Sequence, residues 1–192
     1  DADIAITGGL CGDDARFEKT LCGYNRPAKE GEVVLIGLYG DSLEISFANY
    51  GGWFSFGPEW LITKSSGNVL YELDHRPALD LYKKYLGDKA SELPQAALLY
   101  PLSVQFEHKK NPLVRTILNI DEDTNAMVLA GDAPEGSRVN LMMATVDGIV
   151  DGASEAAKRA VEHRNSPPEL AILVSCVGRK LVMHQRVEEE IE

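Results

Sequence analysis

The amino-acid sequence predicts an α+β protein, mostly antiparallel β-sheet with a few flanking helices. Three observations carry this. Strand-like segments outnumber helical ones, tight hairpin connections recur, and the helical stretches stand apart from one another. A parallel doubly wound sheet needs regular strand–helix alternation, which the chain lacks.

Residues 2–7 (ADIAIT) read as a buried strand running into the glycine-rich loop Gly8-Gly9-Leu10-Cys11-Gly12-Asp13-Asp14. Residues 32–39 (EVVLIGLY) have the β-branched and aromatic content of a central strand, and 42–47 follow as a short one. Gly51 to Pro58 reads as an aromatic loop. Trp60–Ser65 and Val69–Leu73 flank Ser66-Gly67-Asn68 as a hairpin. A first helix is expected near 76–86, with Asp74 as cap, Pro77 in its first turn and Gly87 as its stop. Ala78, Leu81, Tyr82 and Tyr85 share one stripe of it. Residues 96–106, 113–120, 127–130 and 138–145 read as further strands. A second helix over 147–163 carries small apolar residues such as Ala153, Ala156 and Ala160, which suit close packing on a sheet. Residues 169–176 (ELAILVSC) read as a buried strand. The turn at Gly178 leads into a third helix near 180–192.

A chain of 192 residues with 44% hydrophobic content can bury a core of its own. The net charge is −11 and no basic run offsets it, which excludes nucleic acid and anionic membrane surfaces as partners. No apolar run approaches the roughly 18 residues of a membrane span. The three cysteines, Cys11, Cys22 and Cys176, match no zinc spacing, and the odd count suggests free thiols in the cytoplasm. The chain opens without Met and ends on Glu188-Glu189-Glu190-Ile191-Glu192, acidic where a helix end disfavours it, so it reads as a fragment of a longer protein.

The order of these segments resembles the FIST family. Gly8-Gly9-Leu10-Cys11-Gly12-Asp13, then Phe17-Glu18-Lys19-Thr20 and Gly37-Leu38, resemble the end of its N part, assigned to residues 1–64. Ser66 to Asp74, Pro77-Ala78-Leu79-Asp80, Leu129-Ala130-Gly131-Asp132, Pro134 to Val139 and Ser175-Cys176-Val177-Gly178-Arg179 resemble its C part, assigned to 65–192. His75 stands where the pattern has Gly. The resemblance implies a sensory domain that binds a small, amino-acid-like ligand and signals to a histidine kinase, chemotaxis receptor or diguanylate cyclase, as in two-component signalling. It implies no cofactor, with haem-based nitric oxide sensing as the alternative and a eukaryotic branch tied to ubiquitin ligation.

The candidate ligand contacts are Arg179, Cys176, Gly178, Gly9 and Gly12. Arg179 and Gly178 follow a buried strand at a turn, where a guanidinium fork suits a carboxylate. Cys176 stands beside them, as a ligand contact or as a structural thiol. Gly9 and Gly12 let backbone approach a ligand, or serve only as a tight turn. The loop is neither a P-loop nor a dinucleotide fingerprint. The four histidines, His75, His108, His163 and His184, form no metal spacing. Trp53, Phe54, Phe56 and Trp60 read as core before pocket. The Glu188–Glu190 run reads as a solvated helix face. No catalytic residue emerges, so the chain is expected not to be an enzyme; a Cys176-dependent transferase or hydrolase is the competing class.

Overall fold

In the computed structural model, which describes residues 4–13, 16, 18–109 and 111–191, an antiparallel sheet forms the centre of the molecule. The expectations on Ala2, Asp3, Asp14, Phe17 and Glu192 lie outside the described residues. The strands are β1 (Leu21–Cys22), β2 (Lys29–Glu30), β3 (Phe54–Ser66), β4 (Val69–Leu73) and β5 (Arg76–Pro77), then β6 (Leu102–Gln105), β7 (Leu113–Arg115), β8 (Ile117–Asp121), β9 (Ala126–Leu129) and β10 (Arg138–Met143). The main sheet runs β7-β6-β10-β3-β4-β9-β8, with β5 added on β4, while β1 and β2 form a separate small ladder. Every pairing among the described residues is antiparallel. The fold class is therefore α+β, as the hairpin-rich sequence predicts.

The β3–β4 hairpin turns at Gly67 and Asn68, where Gly67 takes φ +57, a value that glycine adopts without a Cβ clash. Strand β3 is longer than the sequence suggests and takes in Phe54–Pro58, expected as loop. The register slips opposite Gly57-Pro58, between Asn140 and Leu141 of β10. A bulge accommodates both the proline, which has no N–H to donate, and the positive φ of Gly57. The expected strand over 96–106 is instead a 3₁₀ turn at Gln95–Leu99 followed by β6.

Helix α1 (Ala78–Leu86) lays Ala78, Leu79, Leu81 and Tyr82 against the sheet and ends at Gly87. Its N-cap position is Pro77, and the expected cap Asp74 does something else: its carboxylate accepts from the Leu61 N–H at 2.9 Å. Trp60 is buried and meets the Tyr85 ring edge-on at 5.0 Å, so it belongs to the core. Ile62, Leu70, Leu102, Ile117, Met127 and Leu141 complete that core, all at 0% exposure.

Two more helices lie outside this core. Helix α2 (Val146–Val161) is capped by Thr145, whose hydroxyl accepts from the Gly148 N–H. Helix α3 (Val177–Met183) is short; His184 at φ +50 ends it, and a 3₁₀ stretch, His184–Glu190, replaces the long helix expected to 192.

The expected strands at 4–7, 32–39, 42–47 and 169–176 are not formed. These residues are in no ladder and expose their apolar side chains, with Leu35 at 84% and Ile172 at 72%. Strand composition is present, but a strand needs neighbours to accept its hydrogen bonds and a layer to cover its faces.

Candidate ligand site at the α2–α3 seam

The chain from Tyr50 to Trp53 passes across α2 at very short range. A Cβ built on Gly152 would fall 2.8 Å from the Gly52 nitrogen, and one on Gly52 would fall 2.0 Å from the Gly148 carbonyl oxygen. Three glycines thus allow backbone to touch backbone. The small residues of α2 suit this packing, although the contact uses Gly148 and Gly152 and leaves Ala157 exposed.

Arg179 crosses the same seam. It is 8% exposed, and its fork is fully directed: Nη1 donates to the Gly51 carbonyl at 2.6 Å and Nη2 to the Ile149 carbonyl at 2.7 Å. Its Nε donates to the Glu190 carboxylate. The other Glu190 oxygen accepts from the Ser175 hydroxyl at 2.6 Å. Both ionic side chains are 9% exposed, so this is a buried, hydrogen-bonded ion pair. The solvated face expected for Glu188–Glu190 is corrected here: Glu190 turns inward, while Glu189 pairs with Arg186 at the surface.

The other candidates distribute unevenly. Gly178 is buried, and a Cβ there would sit 3.4 Å from the Leu98 carbonyl oxygen, so its smallness serves close packing beside Arg179. Cys176 occupies the N-cap position of α3 without a side-chain cap bond and is an exposed free thiol. Gly9 approaches the unpaired segment that leads into α3, with Val174 Cγ1 2.8 Å from its would-be Cβ, whereas a Cβ on Gly12 would meet nothing within 4 Å. The expectation of three free thiols is corrected: Cys11 and Cys22 form a disulfide, and Cys176 alone is free. The glycine loop and β1 bring those two sulfurs together, a proximity that an odd cysteine count does not reveal. Asp13, in that loop, organises its own turn by accepting from the Glu18 and Lys19 N–H groups.

Ser175, Glu190 and the carbonyls of Gly51 and Ile149 are the partners that sequence reasoning missed. Carbonyl oxygens carry no residue-type signal, and Glu190 reaches Arg179 only because α3 breaks at His184.

Two shallow clefts lie nearby. One, of about 340 Å³, is lined by Glu44, Ser46, Phe47, Arg159, His163 and Arg164. Its charges are matched internally, by Arg159 with Glu155 and Arg164 with Glu44. The other, of about 270 Å³, is lined by Tyr100, Met143, Leu181, Val182 and His184. Its volume falls below the roughly 300–1,000 Å³ of small-ligand pockets. Among the described residues no three His, Cys, Asp or Glu side chains converge as a metal group.

The arrangement is an antiparallel sheet domain with a seam of close backbone contacts and a buried cation lying across it. The FIST N domain matches residues 1–76 and the FIST C domain residues 78–192, and the chain belongs to the FIST family. FIST domains are sensory domains that bind small ligands in signalling proteins. An uncharacterized protein of the archaeon Methanocaldococcus jannaschii is 27% identical over 98% of this chain. The chain spans 39% of that relative's length. No solved structure matches. No described helix is long and apolar enough to cross a membrane.

Proposed function

We propose that this chain is the sensing module of a signalling protein, in which a small carboxylate-bearing ligand, amino-acid-like in size, binds at the Arg179 seam. The output partner is a module such as a histidine kinase or diguanylate cyclase. The observation that carries the reading is that Arg179 joins the two family-matched regions: it holds Gly51 of the first and Ile149 and Glu190 of the second. A ligand that perturbs this residue alters how the two regions pack, which is what a sensor must do. Gly178 and Cys176 border the site, and Gly9 and Gly12 lie on the loop that approaches it through Val174. The reading requires neither cofactor nor catalysis.

A thermal-shift screen of L-amino acids and other small carboxylates tests it. A ligand at about 100 times its dissociation constant should add about 2.7 kcal/mol of stability. A screen in which no carboxylate shifts the melting temperature would remove the proposal.

A further inference from the structure

We infer that Ser175 and Arg179 form a carboxylate-binding site that the chain's own Glu190 occupies, and that a ligand carboxylate displaces Glu190 and releases residues 184–191. The inference rests on the sensory reading above and adds to it the ligand group and the moving part.

The principal receiving group, Arg179, does not depend on Glu190 for its position. Arg179 is oriented by the carbonyls of Gly51 and Ile149, and Ser175 stands four residues before it on the same chain segment. A site whose donors are already aimed binds its ligand without an ordering cost. What Glu190 supplies is a bare carboxylate, with one oxygen on a guanidinium and the other on a hydroxyl. Any small carboxylate offers the same two acceptors. An amide or an alcohol does not, and its entry would leave Arg179 as an uncompensated buried charge.

The segment that delivers Glu190 is built to come away. Apart from the inward-turned Glu190 carboxylate, His184–Glu190 buries little, and its one apolar side chain, Val187, is only half-buried. His184 at φ +50 separates it from α3, and Arg186 interrupts its helical geometry. Its other ties are exposed ion pairs, Arg186 with Asp147 and with Glu189, and such pairs contribute little. Segments with few buried contacts open at low cost. Glu190 is thus the one deep attachment, and removing it frees the segment. A tethered group competes at an effective concentration on the order of millimolar, so ligands at metabolite concentrations can displace it.

The test uses the 192-residue chain with sodium acetate as probe, and with acetamide and sodium chloride at matched ionic strength as controls. Hydrogen exchange of 184–191 should rise at least five-fold with acetate and stay unchanged with either control. Glu190→Gln should bind acetate at least ten-fold more tightly than the parent chain. Glu190→Asp, which keeps the charge but shortens the arm, should give an intermediate gain and guards against misfolding of the Gln variant. Adding Ser175→Ala to Glu190→Gln should cancel most of the gain. Unchanged acetate affinity in both folded Glu190 variants overturns the inference, and so does exchange of 184–191 that ignores saturating acetate. If metabolites still stabilise the parent chain in that case, the sensory reading survives alone. If acetate binds Glu190→Gln while no metabolite stabilises the parent chain, the site stands and the sensory reading falls.

Discussion

Gly52 and Gly148 meet backbone to backbone, so close that a Cβ on Gly52 would lie 2.0 Å from the Gly148 carbonyl oxygen. Gly52 also holds φ +70, which an L side chain rarely adopts. Gly52→Ala therefore has two penalties, steric overpacking of about 1–3 kcal/mol and backbone strain of about 1 kcal/mol or more. The expected loss is about 3 kcal/mol by urea unfolding. Gly12→Ala, where a Cβ meets nothing, should change stability by less than about 0.5 kcal/mol. Equal effects at the two positions would refute the close seam.

Arg179→Ala should destabilise the docked state of residues 184–191 by about 3–5 kcal/mol, because Glu190 would be left buried there without its partner. Arg179→Lys should recover only part, since one ammonium cannot reach Glu190, Gly51 and Ile149 in the fork's geometry. Replacing both charges, Arg179→Met with Glu190→Met, should restore most of the stability. A double variant as unstable as Arg179→Ala would mean that the carbonyl contacts, not the ion pair, hold the seam.

The fold and the site were legible to different degrees, for a physical reason. The Gly67-Asn68 hairpin, α1 ending at Gly87 and the small-residue face of α2 are local patterns, and local patterns survive in sequence. Arg179 stood out because a cation after a glycine turn is unusual. Glu190 did not, because an acidic run in a helical frame looks solvated and the break at His184 leaves no periodic mark. The strands expected at 32–39 and 169–176 show the converse limit. Residues such as Leu35 and Ile172 have strand composition, but composition does not supply the neighbours a strand needs.

Acid should loosen one particular contact. Glu44 accepts from the Ser166 hydroxyl and the Asn165 N–H and lies beside Arg164; these hold its carboxyl below the ordinary 4.5. A depressed carboxyl pKa contributes stability that is complete above about 4.5 and is lost as pH falls through the lower folded value. The Asn165 amide signal should therefore shift, and its protection relative to the intrinsic exchange rate should fall, as pH falls below 4.5. Glu44→Gln should abolish that pH dependence. An Asn165 amide that titrates identically in the variant would show that another group is responsible.

The disulfide between Cys11 and Cys22 predicts a simple labelling pattern. Iodoacetamide on the unreduced, folded chain should modify Cys176, which is exposed and free, and spare the other two. After reduction all three should react. Closing a loop of this length contributes on the order of 3 kcal/mol in the chain-entropy model, so reductant should lower the melting temperature. Three alkylated cysteines without reductant would restore the free-thiol expectation.

The uneven burial of apolar residues gives the last test. Leu79 on α1 is 0% exposed and Leu35 is 84% exposed, although both sit in apolar runs. Leu79→Ala should cost about 2–5 kcal/mol, the transfer term plus a cavity that the close-packed sheet cannot fill. Leu35→Ala should cost less than about 0.5 kcal/mol in the same urea titration. Leu35, Ile36, Ile172 and Leu173 are instead a liability for association, because unpaired extended segments with bare apolar side chains template one another. Leu35→Asp together with Ile172→Asp should leave the urea midpoint unchanged and reduce light scattering of the concentrated chain. A midpoint that falls as far as in Leu79→Ala would place those segments inside a packed core.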